Sequence, residues 1–158
     1  TRLNLISTIM EASRYFRKDT QYIISEGKPN GSTVPRKLSS TGWYYEWCPV
    51  RDEIFALSDL IVIRAGHAAI SHAIQYGKPM VTIPIQNHGE QLGNSEKVER
   101  MKIGIRLEPS KINAEQIAQA IHKILDDKSY IQNVEKLKEL TDNYDGIKNA
   151  LEIIRSFL

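Results

Sequence analysis

The sequence predicts an α/β domain, a parallel sheet with helices on both faces, and three observations carry that prediction. Short apolar segments at residues 22–24, 43–47, 60–63, 79–83 and 103–107 alternate with stretches whose apolar residues recur every three or four positions, the pattern of strands separated by crossover helices. Residues 60–63 and 79–83 are nearly continuous apolar runs, as strands buried on both faces require. The chain has 158 residues, 41% apolar and 25% charged, the size and balance of one soluble domain that buries about two thirds of its unfolded surface.

Taken in order, Leu3, Ile6, Ile9, Met10, Ser13 and Phe16 form one stripe and predict a helix over residues 2–18. Tyr22, Ile23 and Ile24, closed by Gly27 and Pro29, predict a strand. Residues 26–41 are polar and rich in Gly, Pro and Ser, a long connection expected to be mobile. Residues 43–47 are aromatic and β-prone, and Pro49 ends them. A short helix over 50–57 precedes the strand at 60–63, then a helix over 67–75 capped by Gly77, then the strand at 79–83. A loop through Gln91 leads to a helix ending near Met101, a strand at 103–107, and helices near 113–126, 129–141 and 145–157. The stripes Ile117, Ile121, Ile124, Leu125 and Ile147, Leu151, Ile154 are expected to pack on the domain. No internal repeat is visible, and residues 1–158 read as a single domain.

Several function classes fall away. Formal net charge is +2, with seven basic against four acidic residues over 1–50 and near balance beyond, too weak a surplus to argue for nucleic acid. Cys48 is the one cysteine, so no internal disulfide or zinc cluster is predicted and a reducing, cytoplasmic setting fits. The apolar runs fall far short of the roughly 18–20 residues of a spanning helix. Thr1 opens without Met or a signal-like block, and a sheet of this kind normally begins with a strand rather than a helix. Both point to a first strand and its turn upstream of Thr1.

In open parallel sheets, ligands gather beyond the carboxyl ends of the strands. Two of those turns stand out. The first, Arg64-Ala65-Gly66-His67-Ala68-Ala69, uses small residues to leave the next helix's N–H groups uncovered, which favours an anion such as a diphosphate; close helix-on-strand packing is its alternative use. The second runs from Pro84 to Asn94 and is mostly polar residues and glycine. Within it, a carboxylate beside a carboxamide can hold vicinal hydroxyls, as in sugar recognition; a solvated helix cap is the alternative.

The string Ser58-Asp59-Leu60-Ile61-Val62-Ile63-Arg64-Ala65-Gly66, with Gly77-Lys78-Pro79, Ile83-Pro84, Glu90-Gln91 and Asn94, resembles the C-terminal, donor-binding domain of GT-B glycosyltransferases, family 28 in particular. The resemblance covers residues 43–107 well and the flanks by order of elements. It implies a Rossmann-like sheet and the binding of a nucleotide-diphosphate sugar, UDP-N-acetylhexosamine first. It further implies transfer to an acceptor, lipid-linked in the best-known member, held by an N-terminal domain that also carries the catalytic base. No cofactor or metal is implied, and the location would be cytoplasmic, at the inner membrane face. By position, the Cys48 main chain would hold the base, and Arg64, Ala65, Gly66 and the amides of His67, Ala68 and Ala69 the diphosphate. Glu90 and Gln91 would hold the sugar, with Asn94, Pro84 and His88 beside them.

Two positions depart from the family pattern. Ala69 stands where Thr is common, and His72 where a Glu holds the ribose diol; neutral His accepts one hydrogen bond and donates one, where a carboxylate accepts two. Related alternatives are the soluble subunit of a two-chain, membrane-docked glycosyltransferase and a UDP-sugar 2-epimerase-like domain.

Overall fold

The computed structural model describes residues 2–157, leaving aside the side chains of residues 2–4 and 147; Leu3 and Ile147 of the predicted stripes lie outside the described side chains. The chain runs α1 (Arg2–Ala12), a 3-10 turn (Ser13–Tyr15), β1 (Tyr22–Ser25), β2 (Arg36–Lys37), β3 (Gly42–Tyr45), α2 (Arg51–Leu57), β4 (Ile61–Ile63), α3 (His67–Gln75), β5 (Met80–Thr82), α4 (Gly89–Arg100), β6 (Gly104–Arg106), α5 (Ala114–Asp126), α6 (Ser129–Asp142) and α7 (Gly146–Arg155). Strands β4, β5 and β6 pair in parallel in that order, and β1 pairs in parallel with β3. The α/β class with a parallel sheet and helices on both faces therefore holds.

Strand β5 shows how the sheet is covered. Val81 and Ile83 enter a cluster with Ala12 of α1 and Ile117, Ile121 and Ile124 of α5. Met80, pointing the other way, joins Phe55 of α2, Ala73 of α3, Val98 of α4 and Val134 of α6, as the period of two in a strand demands. The α5 stripe is buried at Ile117, Ile121 and Ile124, whereas Leu125, one position off it, is 39% exposed. A capping box starts α5: the Asn113 side chain accepts from the Gln116 N–H and Gln116 reaches back to the Asn113 N–H. Gly77, at φ 64°, ends α3 as predicted. Gly104 is required by space: a Cβ there would lie 2.0 Å from the Met80 carbonyl oxygen.

The differences have local causes. The first helix stops at Ala12 instead of residue 18, where Ser13 Oγ donates to the Met10 carbonyl at 2.7 Å and competes with the helical ladder. The connection at 26–41 contains β2, antiparallel to β3, and is tied down by the Glu46 carboxylate. That carboxylate accepts from the Ser32 N–H at 3.0 Å and from Lys28 Nζ at 3.2 Å, and the Ser32 amide, then Lys28, hold its pKa below the ordinary value. Helix α4 starts at Gly89, not after Gln91: Asn87 takes a left-handed φ of 63° and the Leu92 N–H donates to His88 O at 3.0 Å. The stripe on α7 does not pack, leaving Leu151 48% and Ile154 57% exposed. Periodicity marks an amphipathic face without saying what covers it.

Candidate functional site

The carboxyl ends of β4 and β5 bring the two singled-out turns together. After Ile63 the chain passes Arg64 and turns at Ala65, which is buried and held at φ 60°. That conformation costs a non-glycine residue roughly 1–2 kcal/mol. Gly66 then precedes α3 at φ −68° and ψ 145°, with no side chain capping the helix from that position. A Cβ on Gly66 would meet nothing within 4 Å, so close packing on the sheet does not explain this glycine.

Glu90, in the first turn of α4, reaches across to this helix start. Its Oε1 accepts from the His67 N–H at 3.2 Å and from Asn94 Nδ2 at 3.4 Å, while Asn94 Nδ2 also donates to the Ala65 carbonyl at 3.2 Å. A carboxylate thus sits on an exposed amide at the positive end of α3, where the helix dipole favours negative charge. Gln91 is used differently: its Oε1 accepts from the Ile85 N–H at 2.8 Å, fixing the turn after β5, and its amide nitrogen remains a donor. Pro84 is buried beneath this turn and His88 is exposed on it.

Arg64 is half-buried, and its Nε is buried without a hydrogen-bond partner among the described residues. Burial lowers its pKa, as expected of a charge removed from water without compensation. An unsatisfied buried donor of this kind costs about 1–3 kcal/mol or more, and it belongs to a residue at the carboxyl end of β4. His67 and Ala68 are exposed and Ala69 is half-buried; the His67 N–H is taken by Glu90 and the helical ladder begins with Ile70 N–H to Gly66 O at 3.1 Å, so the Ala68 and Ala69 N–H groups precede the first intrahelical bond.

His72, one turn further along α3, faces α2. Its ring meets Phe55 edge to face at 6.0 Å between centroids, and its Nδ1 lies 3.7 Å from Asp52 Oδ1. Asp52 supplies a carboxylate beside the position where the family pattern has one, a residue that sequence reasoning missed because it lies twenty positions upstream. Cys48 is half-buried in the turn after β3, and its neighbour Trp47 is 46% exposed. Trp47 was also missed, although an aromatic closing a strand just before Pro49 is a visible signal. The turn is pinned by the Trp47 N–H donating to Ser32 O at 3.1 Å.

A hollow of about 660 Å³ lies elsewhere, at the amino end of β1, lined by Arg14, Lys18, Tyr22 and Ser40 among others; that is the end of the strand away from the ligand edge of an open parallel sheet. Among the described residues, no group of three or more His, Cys, Asp and Glu is arranged to hold a metal ion, and no helix is long and apolar enough to cross a membrane.

Comparison with known proteins adds four findings. The model of the glycosyltransferase family 28 C-terminal domain matches residues 3–150. An uncharacterized glycosyltransferase of Methanosarcina mazei is 31% identical over 97 residues, 61% of this chain and 25% of that protein. Human UDP-glucuronosyltransferase 1A9 is 27% identical over 109 residues, 68% of this chain and 20% of that protein. The solved structure of the kitacinnamycin glycotransferase superposes with a TM-score of 0.84 at 20% identity, over 99% of this chain and 40% of that one. The chain thus spans a quarter or less of the length of these two curated relatives.

Proposed function

The chain belongs to the glycosyltransferase family 28 C-terminal domain family, and from that premise we propose that it binds a nucleotide-diphosphate sugar, a UDP-N-acetylhexosamine first, for transfer to an acceptor hydroxyl. The observation that carries this reading is the start of α3: exposed residues His67 and Ala68, whose amides precede the first intrahelical bond, a glycine at 66 with open space beside it, and the unpartnered Nε of Arg64 nearby in sequence. Amides at a helix start and a guanidinium suit a diphosphate. Uridine is favoured as the base because a relative is named for a UDP-sugar.

In this reading the Cys48 main chain and the Trp47 ring receive the base, and the Asp52–His72 pair receives the ribose hydroxyls. The amides of His67, Ala68 and Ala69, with Arg64, receive the diphosphate. Glu90 and the free amide nitrogen of Gln91 receive the sugar, with Asn94 steering Glu90 and with Pro84 and His88 shaping the loop. As the sugar leaves, charge grows on the diphosphate, and preorganised amides stabilise it there. The 158 residues act as one sugar-nucleotide-binding unit of a longer two-domain protein. The acceptor and the base that deprotonates it belong to the other part, so these residues alone do not turn over. The test is calorimetric titration of the chain with UDP, GDP, dTDP and UDP-N-acetylglucosamine. Saturable binding that prefers the uridine compounds is expected, and no heat from any of them at millimolar concentration overturns the reading.

A further inference from the structure

The Glu90 carboxylate already holds the amide that an anionic ligand of α3 would use. Its Oε1 accepts from the His67 N–H at 3.2 Å, and Asn94 Nδ2 ties it to the Ala65 carbonyl through contacts of 3.4 and 3.2 Å. One carboxylate and one carboxamide therefore bridge the turn after β4 to the first two turns of α4. Any diphosphate entering here must take the His67 N–H from Glu90 and bring its own negative charge beside that carboxylate.

We propose that Glu90 discriminates between a sugar nucleotide and the bare nucleoside diphosphate by competing with the diphosphate for the His67 amide. This rests on the donor-site reading above. An ionised carboxylate only accepts hydrogen bonds, and so do the ionised oxygens of a diphosphate. A bare diphosphate that displaces Glu90 offers it no donor in exchange, and the two anions repel. A sugar nucleotide offers hydroxyl donors on the ring next to the diphosphate, so the displaced oxygen exchanges one donor for another. Once the sugar has been transferred, those donors depart with it. Glu90 then returns to His67 and weakens the hold on the diphosphate that remains. Glu90 is exposed, so its movement between the two positions requires no repacking of the core.

The test compares Glu90→Gln with the wild-type chain by calorimetric titration with UDP and with UDP-N-acetylglucosamine. Glu96→Gln serves as a control for charge removal on the same helix, since Glu96 is exposed and pairs with Arg106 at 3.0 Å. Glu90→Gln is expected to bind UDP at least fivefold more tightly and UDP-N-acetylglucosamine no more tightly than wild type, while Glu96→Gln changes neither. Equal tightening of both ligands by Glu90→Gln, no tightening of UDP, or the same gain from Glu96→Gln overturns the proposal and leaves the donor-site reading standing. Failure of both ligands to bind any of the three proteins overturns the donor-site reading and this proposal together.

Discussion

Replacing Gly66 by Ala separates two roles that a glycine in such a turn can have. Its φ of −68° and ψ of 145° suit any residue, and an added Cβ meets nothing within 4 Å. On the folding side, the change removes freedom from the unfolded chain and should stabilise by about 0.4–1 kcal/mol. For a domain of this size 1 kcal/mol moves Tm by roughly 2–4 °C, so Tm should rise by about 1–4 °C. On the binding side, the methyl group enters the open space at the start of α3 that the diphosphate is proposed to use. Losing one hydrogen bond to a charged phosphate costs about 1.5–3 kcal/mol, roughly a ten- to hundredfold weaker Kd for UDP. Stability and affinity should therefore move in opposite directions, read by differential scanning calorimetry and by titration. A fall in Tm of several degrees would mean that Gly66 serves packing, and unchanged UDP affinity would mean that the open space is not the path of the diphosphate.

Two further outcomes follow from the fold. Gly104→Ala drives a Cβ to 2.0 Å from the Met80 carbonyl oxygen, at the first pair of the β5–β6 ladder. Overpacking of that kind costs about 1–3 kcal/mol, and a backbone neighbour puts it at the upper end, so Tm should drop by roughly 6 °C or more; an unchanged Tm would contradict the close approach of the strands. Arg17 donates through Nη2 to both carboxylate oxygens of Asp126 at 2.7 and 2.6 Å, and that hydrogen bonding holds the Asp126 pKa below its ordinary value. The folded pKa being the lower one, the pair's stabilisation is present above the unfolded value and is lost as pH falls through the folded one. An NMR titration should place the Asp126 midpoint below the ordinary value of about 3.9 and return it there in Arg17→Gln; an ordinary midpoint in the wild type would refute the pairing.

Much of the fold was legible because burial wrote it into the chain. Ile117, Ile121 and Ile124 fall on one face of α5, and the strand at Met80–Thr82 is buried at every position, so period and continuity identified them. Segment β2 was not legible: Arg36 and Lys37 are exposed and become a strand only because β3 lies beside them. For the site, the two turns were found from residue types, but the way they meet was not. Residue type alone makes Glu90 a loop residue free to hold a sugar, whereas α4 begins one residue earlier and aims its carboxylate at the start of α3. Neither the contact with His67 nor the pairing of His72 with Asp52 leaves a trace in spacing, since each joins residues twenty or more positions apart. The expectation that His72 is simply a weaker ribose ligand changes once Asp52 stands beside it.

If the start of α3 receives the diphosphate of a sugar nucleotide, amide chemical shifts followed through a UDP titration will report it residue by residue. The amide signals of His67, Ala68 and Ala69 are expected to move together with those of Trp47 and Cys48, saturating with one Kd, while residues lining the hollow at the amino end of β1, such as Arg14 and Ser40, stay in place. Shifts centred on that hollow with the α3 amides unmoved would contradict it.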